Sequence, residues 1–131
     1  RTVLPALERG EWVLCDRFTD STLAYQGMAR GLPWKTIRKI NDIATQGLTP
    51  DLTVWLDADP GLGLSRAAQQ TRFEAEGLEF QKKVYQGFAR AKKEEPKRFL
   101  VVEAFSGTPD EMALKIAAQL LKRFAVKRRA A

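Results

Sequence analysis

Asp16 and Arg17 close a short apolar run, Trp12-Val13-Leu14-Cys15. Phe18-Thr19-Asp20-Ser21-Thr22-Leu23-Ala24-Tyr25-Gln26-Gly27 follows at once, rich in small hydroxyl, amide and aromatic side chains. Read as a buried strand, the run delivers a carboxylate and a guanidinium side by side at its carboxyl end. Ligands of open α/β sheets bind at the carboxyl ends of strands. An Asp there can hold a metal ion or its water, and an Arg can clamp a phosphate with two parallel hydrogen bonds. The pair points to phosphate chemistry. The chain contains no histidine, which excludes imidazole bases, Ser-His triads and His-ligated metals.

The elements that must position this pair are legible from pattern. Three apolar runs predict strands: Trp12 to Cys15, Leu52 to Leu56 and Phe99 to Val102. None alternates apolar with polar, so each fits a parallel strand covered on both faces. Thr2 to Arg9 reads as a helix stopped by Gly10. Pro33 opens a helix reaching about Thr45, as a first-turn proline. Pro60, capped by Asp59, opens another through Arg66. Leu78, Val84, Phe88 and Ala91 mark a helix ending before Pro96. Pro109 opens the last, with Met112, Ile116, Leu120 and Leu121 inward. Trp12, Trp34, Trp55, Phe99 and Phe105 read as core. Strands alternating with helices predict a doubly wound parallel α/β sheet, a single domain over residues 1–131.

Bulk properties narrow the function. A chain of 131 residues suffices for one domain and is too short for two. No apolar run approaches a membrane span and no secretory leader pattern is visible. The single Cys15 in an apolar strand predicts a buried thiol and a reducing, cytoplasmic location. The net charge of +6 fits either a soluble basic surface or an anionic ligand such as a nucleotide. Nucleic acid is not expected. The one basic cluster, Lys122, Arg123, Lys127, Arg128 and Arg129, complements the negative end of a helix. The phosphate-loop pattern G-x-x-x-x-G-K-[ST] is absent from these residues. Gly61 and Gly63 do not supply it, and Lys35-Thr36 follows no Gly-rich loop.

Several separated stretches, in order, resemble the C-terminal portion of the bacterial thymidylate kinase family. They are Leu4-Pro5-Ala6-Leu7 with Gly10-Glu11-Trp12-Val13; Asp16-Arg17-Phe18 with Ser21 to Gly27; Ala29-Arg30-Gly31; Thr49 to Asp57; Gly63-Leu64-Ser65-Arg66; and Arg72-Phe73-Glu74 with Glu76 and Phe80. The resemblance implies a fold of the P-loop nucleoside monophosphate kinase type. It also implies that the family's N-terminal strands, including the central one with the phosphate loop, lie outside this sequence. The activity implied is transfer of the terminal phosphoryl group of ATP to dTMP with Mg2+, in a cytoplasmic homodimer. The lid departs from the family: only Ala67 to Thr71 separates Arg66 from Arg72, and Thr71 stands where an Asp is common.

The resemblance also suggests roles. Arg17 would hold the dTMP phosphate. Asp16 would bind Mg2+ through water and orient Arg17, or else cap the strand end. Thr22 and Gln26, four apart on a helix, would meet the thymine edge, with Tyr25 beside the sugar; otherwise they form an ordinary helix face. Arg66 would stack on adenine and Arg72 reach the phosphates as a catalytic lid residue, or both are solvated helix arginines. Glu74 is either a lid carboxylate near dTMP or an arginine partner. Ser106, in Ser106-Gly107-Thr108-Pro109, lies either near adenine or in a cap and turn. Another nucleoside or nucleotide kinase of the same fold and a non-catalytic nucleotide-binding remnant are the competing readings. Binding of nucleic acid through the basic C-terminal helix is a further one.

Overall fold

The computed structural model describes residues 2–66 and 76–124, the side chains of residues 64–66 excepted. Its elements are α1 (Val3–Glu8), α2 (Thr19–Thr22) running into a π-helix (Leu23–Ala29), and α3 (Trp34–Thr45). Next come β1 (Thr53–Asp57), α4 (Pro60–Arg66), α5 (Gly77–Glu94), a 3-10 turn (Pro96–Arg98), β2 (Phe99–Glu103) and α6 (Pro109–Phe124).

Local chemistry sets these boundaries. α1 stops at Gly10, whose φ of 75° a side chain would disfavour. Pro33 stands at the cap of α3 and Trp34 is its first residue, one position later than the expected first-turn proline. α3 ends as Gln46 turns left-handed and the Gly47 amide donates to the Asp42 carbonyl at 2.9 Å. The Asp59 carboxylate caps α4, accepting from the amides of Gly61 at 2.8 Å and Leu62 at 3.1 Å. α6 starts from a reciprocal box: the Thr108 amide donates to Glu111 and the Glu111 amide to the Thr108 hydroxyl.

β1 and β2 pair in parallel, Thr53 opposite Phe99 through Asp57 opposite Glu103. The fold is thus a helix-rich α/β arrangement on a two-stranded parallel sheet; the wider doubly wound sheet is not formed among the described residues. The core gathers Leu23, Trp34, Ile37, Ala91 and Phe99, with Met28 and Trp55 against them. It lies where the π-helix, α3 and α5 converge beside the sheet. Trp55 meets α5 through Tyr85 and Phe88, ring centroids 5.3 and 6.1 Å away.

The expected strand at Trp12 to Cys15 does not form, and the segment has no regular structure. A β-strand is defined by its ladder, and no described strand lies beside this run to supply one. Cys15 is accordingly exposed rather than buried, and its thiol donates to the Arg17 carbonyl at 3.3 Å. Leu14 is 87% exposed. Trp12 and Phe105, expected in the core, are also exposed, and Trp12 packs edge-on against Phe124. On α6, Met112, Ile116 and Leu120 are half-buried, while Leu121 faces outward. Among the described residues no helix is long and apolar enough to cross a membrane.

Candidate functional site

The site begins at a backbone reversal. Arg17 adopts φ 65°, a left-handed conformation that few non-glycine residues take and that concentrates at functional positions. This bend turns the chain from the irregular 11–15 segment into α2. It carries the Arg17 guanidinium over the Tyr25 ring, Cζ 5.3 Å from the ring centroid. That distance is within cation–π range.

Tyr25 in turn lies 6.0 Å from Phe80, the rings tilted by 58°. Phe80 comes from the first turns of α5. The Arg30 guanidinium stands 5.6 Å from the Phe80 centroid, and it pairs with Glu76 at 2.7 Å. The described surface therefore carries a row: guanidinium, phenol, phenyl, guanidinium, carboxylate. Two cations bracket two aromatic rings. Such a row can take an anionic group at one end while an aromatic base lies against the rings.

Thr22 and Gln26 belong to the same element, and both are half-buried. Thr22 is the last residue of α2 and Gln26 lies inside the π-helix, so the expected α-helical spacing is replaced by i→i+5 bonding. A residue four positions on now falls just short of a full turn rather than just past one. π-helical turns recur at functional sites.

Below this surface the element is pinned. Asp20 is buried, 4% exposed. Its Oδ1 accepts from Arg98 Nη2 at 2.7 Å, and its Oδ2 from Arg98 Nη1 and the Thr53 hydroxyl, both at 2.7 Å. Hydrogen bonding to Asp20, opposed by burial and reinforced by Glu95, holds the Arg98 guanidinium still further above its ordinary pKa. Asn41 donates to the Thr19 carbonyl at 3.2 Å.

A family model described as thymidylate kinase matches residues 1–116. The chain belongs to the thymidylate kinase family. A thymidylate kinase of Deinococcus radiodurans is 52% identical over 122 residues, covering 91% of this chain and 59% of that protein. One from a Synechococcus species is 50% identical, over 88% of this chain and 56% of its own length. One from Desulfovibrio desulfuricans is 45% identical, over 86% and 56% respectively. The chain thus spans little more than half the length of these curated relatives.

Of the residues singled out from sequence, Arg17 stands over Tyr25, and Thr22 and Gln26 lie on the same continuous helical element as Tyr25. Asp16 is exposed beside Arg17. Ser106 is exposed in the turn before α6, remote in sequence from the aromatic row, and its neighbours form the cap described above. Arg72, Glu74 and the side chain of Arg66 lie outside the described residues, as do Lys127, Arg128 and Arg129. Lys122 and Arg123 occupy the last turn of α6, where cations suit the helix dipole.

Sequence reasoning gave no role to Arg30, Glu76 or Phe80, nor to Asp20 and Arg98. One signal was present for Asp20. It shares the i, i+3, i+4 face of Leu23 and Ala24, so an inward carboxylate there requires a buried partner. Nothing in the spacing named Arg98, which lies 78 positions away.

Proposed function

We propose that this chain supplies the acceptor-nucleotide side of a thymidylate kinase, an enzyme moving the terminal phosphoryl group of ATP to dTMP to give dTDP and ADP. The observation that carries this reading is the row from Arg17 through Tyr25 and Phe80 to Arg30, standing on a pinned π-helical element.

In this reading Arg17 grips the dTMP phosphate through a two-point contact that fixes the acceptor oxygen's direction. Thr22 and Gln26 present a hydroxyl and an amide to the thymine O4 and N3–H edge. Tyr25 lies beside the sugar, and a pocket built around deoxyribose would exclude a 2′-hydroxyl. The protein has little covalent work in such a transfer; it aligns donor and acceptor and neutralises charge on the moving oxygens. The absence of histidine from the sequence is no obstacle to that chemistry.

Magnesium needs only one or two protein carboxylates when nucleotide phosphates complete its shell. Among the described residues no cluster of three or more candidate ligands occurs, and the exposed Asp16 beside Arg17 suits the minimal arrangement. Asp16 would hold the ion through water, and the ion would neutralise phosphate charge. Arg72 and Glu74 are proposed as lid residues toward the phosphates and acceptor, with Arg66 and Ser106 toward adenine.

The same reading places the enzyme in the cytoplasm, where a single thiol such as Cys15 stays reduced. It takes the fold to be the doubly wound P-loop kinase type in one domain, and the assembly to be a homodimer with α1 in the interface.

A phosphoryl-transfer assay with ATP and dTMP on the complete gene product tests it. Transfer to dTMP in preference to dAMP or deoxycytidine is expected. Preference for either of those would replace this reading by another nucleotide kinase. The chain alone is expected to show negligible transfer, since its residues include no G-x-x-x-x-G-K-[ST] loop.

A further inference from the structure

The buried Asp20–Arg98 pair has an energetic oddity. Burying two charges costs desolvation that their attraction only roughly offsets, so apolar replacements of such pairs are often neutral or stabilising. Stability alone therefore does not account for an ion pair whose side chains are only 6% and 11% exposed. Its geometry offers a better account.

Arg98 Nη1 and Nη2 each reach a different oxygen of Asp20 at 2.7 Å. The Thr53 hydroxyl accepts from Nη1 at 2.6 Å and donates to Asp20 Oδ2 at 2.7 Å. Glu95 holds the other edge of the guanidinium, accepting from Nε at 2.8 Å. Arg38 then binds both Glu95 and Glu94, and the Trp34 ring N–H also donates to Glu94. No buried side-chain polar atom among the described residues is left without a partner. The network joins α2, β1, α3, α5 and the 3-10 turn before β2.

A single hydrogen bond would let α2 swivel about its axis. A two-point contact sharing a third donor fixes one rotational setting. Asp20 lies three residues after Arg17 and two before Thr22. Tyr25 and Gln26 follow on the π-helix that continues directly from it.

We propose that Asp20, locked by Arg98 and Thr53, is a positioning residue for acceptor-nucleotide recognition. It sets the angle at which Arg17, Thr22, Tyr25 and Gln26 meet one ligand together. The proposal rests on the reading of that surface as the thymidylate site and adds to it a residue that touches no substrate.

The test is calorimetric titration of thymidine 5′-monophosphate into the complete gene product and into its Asp20→Asn, Thr53→Val and Arg98→Lys variants, with the folded fraction of each measured by circular dichroism. Misplacing a recognition group by about 1 Å costs on the order of 10²-fold in a reaction. For binding, a loss of at least about tenfold per folded molecule is expected for Asp20→Asn and Arg98→Lys. A smaller loss is expected for Thr53→Val, which leaves both charges paired. A purely structural role would lower the folded fraction and leave the corrected affinity unchanged, and that result overturns the proposal. If Asp20→Asn does not fold, Thr53→Val decides: unchanged affinity refutes positioning. If the unsubstituted protein binds no thymidylate, the functional reading fails, and the positioning role falls with it. Binding by the unsubstituted protein with indifferent variants removes the positioning role alone.

Discussion

Gly87 packs so closely on Ala24 that a Cβ added at position 87 would stand 2.5 Å from the Ala24 Cα and 2.9 Å from its Cβ. The two residues form a close contact between α5 and the π-helix, and the nearest obstacle is backbone, which cannot step aside as a flexible side-chain tip would. Gly87→Ala therefore sets two effects against each other. Alanine favours a helix interior over glycine by about 1 kcal/mol. Overpacking a close contact costs about 1–3 kcal/mol. With backbone as the neighbour the upper part of that range applies, and a net loss of roughly 1–2 kcal/mol is expected. Urea unfolding measures it; an equal or raised midpoint would show that the helices separate without penalty. Because α5 carries Phe80 and the π-helix carries Tyr25, the same change is expected to widen their 6.0 Å spacing.

Arg17→Ala is expected to weaken thymidylate binding by about 1.5–3 kcal/mol, the range for a hydrogen bond to a charged group. That is roughly ten- to a hundredfold in the dissociation constant. Stability should change little, because Arg17 is exposed and surface changes usually fall within about 0.5 kcal/mol. Arg17→Lys should recover only part of the affinity, since an ammonium is a point charge without the planar fork. Calorimetric titration with thymidine 5′-monophosphate reads both variants. Unchanged affinity in Arg17→Ala would remove this residue from the site.

Acid should loosen the α3–α5 junction through Glu94. Burial alone would raise its carboxyl pKa, but hydrogen bonds from Arg90 and Trp34 and the charges of Arg38 and Arg90 bring it below the ordinary value. The folded value is therefore lower than the unfolded one, and on acidification the unfolded chain takes up the proton first. The stability from Glu94 is fully present above about pH 4.5, its ordinary value, and is lost as pH falls through the lowered folded value. In Glu94→Gln this part of the acid slope should flatten. Unfolding midpoints recorded from neutral pH to below the carboxylate range test it, and identical slopes in the two proteins would exclude the assignment.

Local signals carried most of the element boundaries. Asp59 at the cap of α4, Gly10 after α1 and Pro109 at the start of α6 act through their nearest neighbours, so composition and spacing reveal them. The Trp12 to Cys15 run misled for a complementary reason. Its apolar residues are right for a strand, but a strand exists only with a partner, and strand pairing is a non-local property. The site divides in the same way. Arg17, Thr22, Tyr25 and Gln26 sit within one short segment and could be grouped from sequence. Phe80, Arg30 with Glu76, and Asp20 with Arg98 come together across 46 and 78 positions in the ion pairs. Only the folded backbone creates those contacts. The π-helical winding of Leu23–Ala29 likewise had no pattern of its own, because its apolar spacing is close to that of an α-helix.

The apolar surface left uncovered makes a prediction about the chain in solution. Leu14 is 87% exposed, Leu114 72%, Leu121 59% and Trp12 57%. The Trp12–Phe124 contact, centroids 5.6 Å apart, joins the 11–15 segment to the end of α6. Scattered exposed leucines are ordinary, but a grouped apolar surface marks an interaction or aggregation site. The segment also presents backbone groups that no described strand pairs, a further invitation to association. The chain is expected to self-associate at micromolar concentration and to bind a hydrophobic dye. Leu14→Lys should reduce both while changing stability by no more than about 0.5 kcal/mol, since the residue packs on little. Light scattering and dye fluorescence read the outcome. A monodisperse monomer that ignores the dye and unfolds in one cooperative step would show that these residues are not a sticky surface.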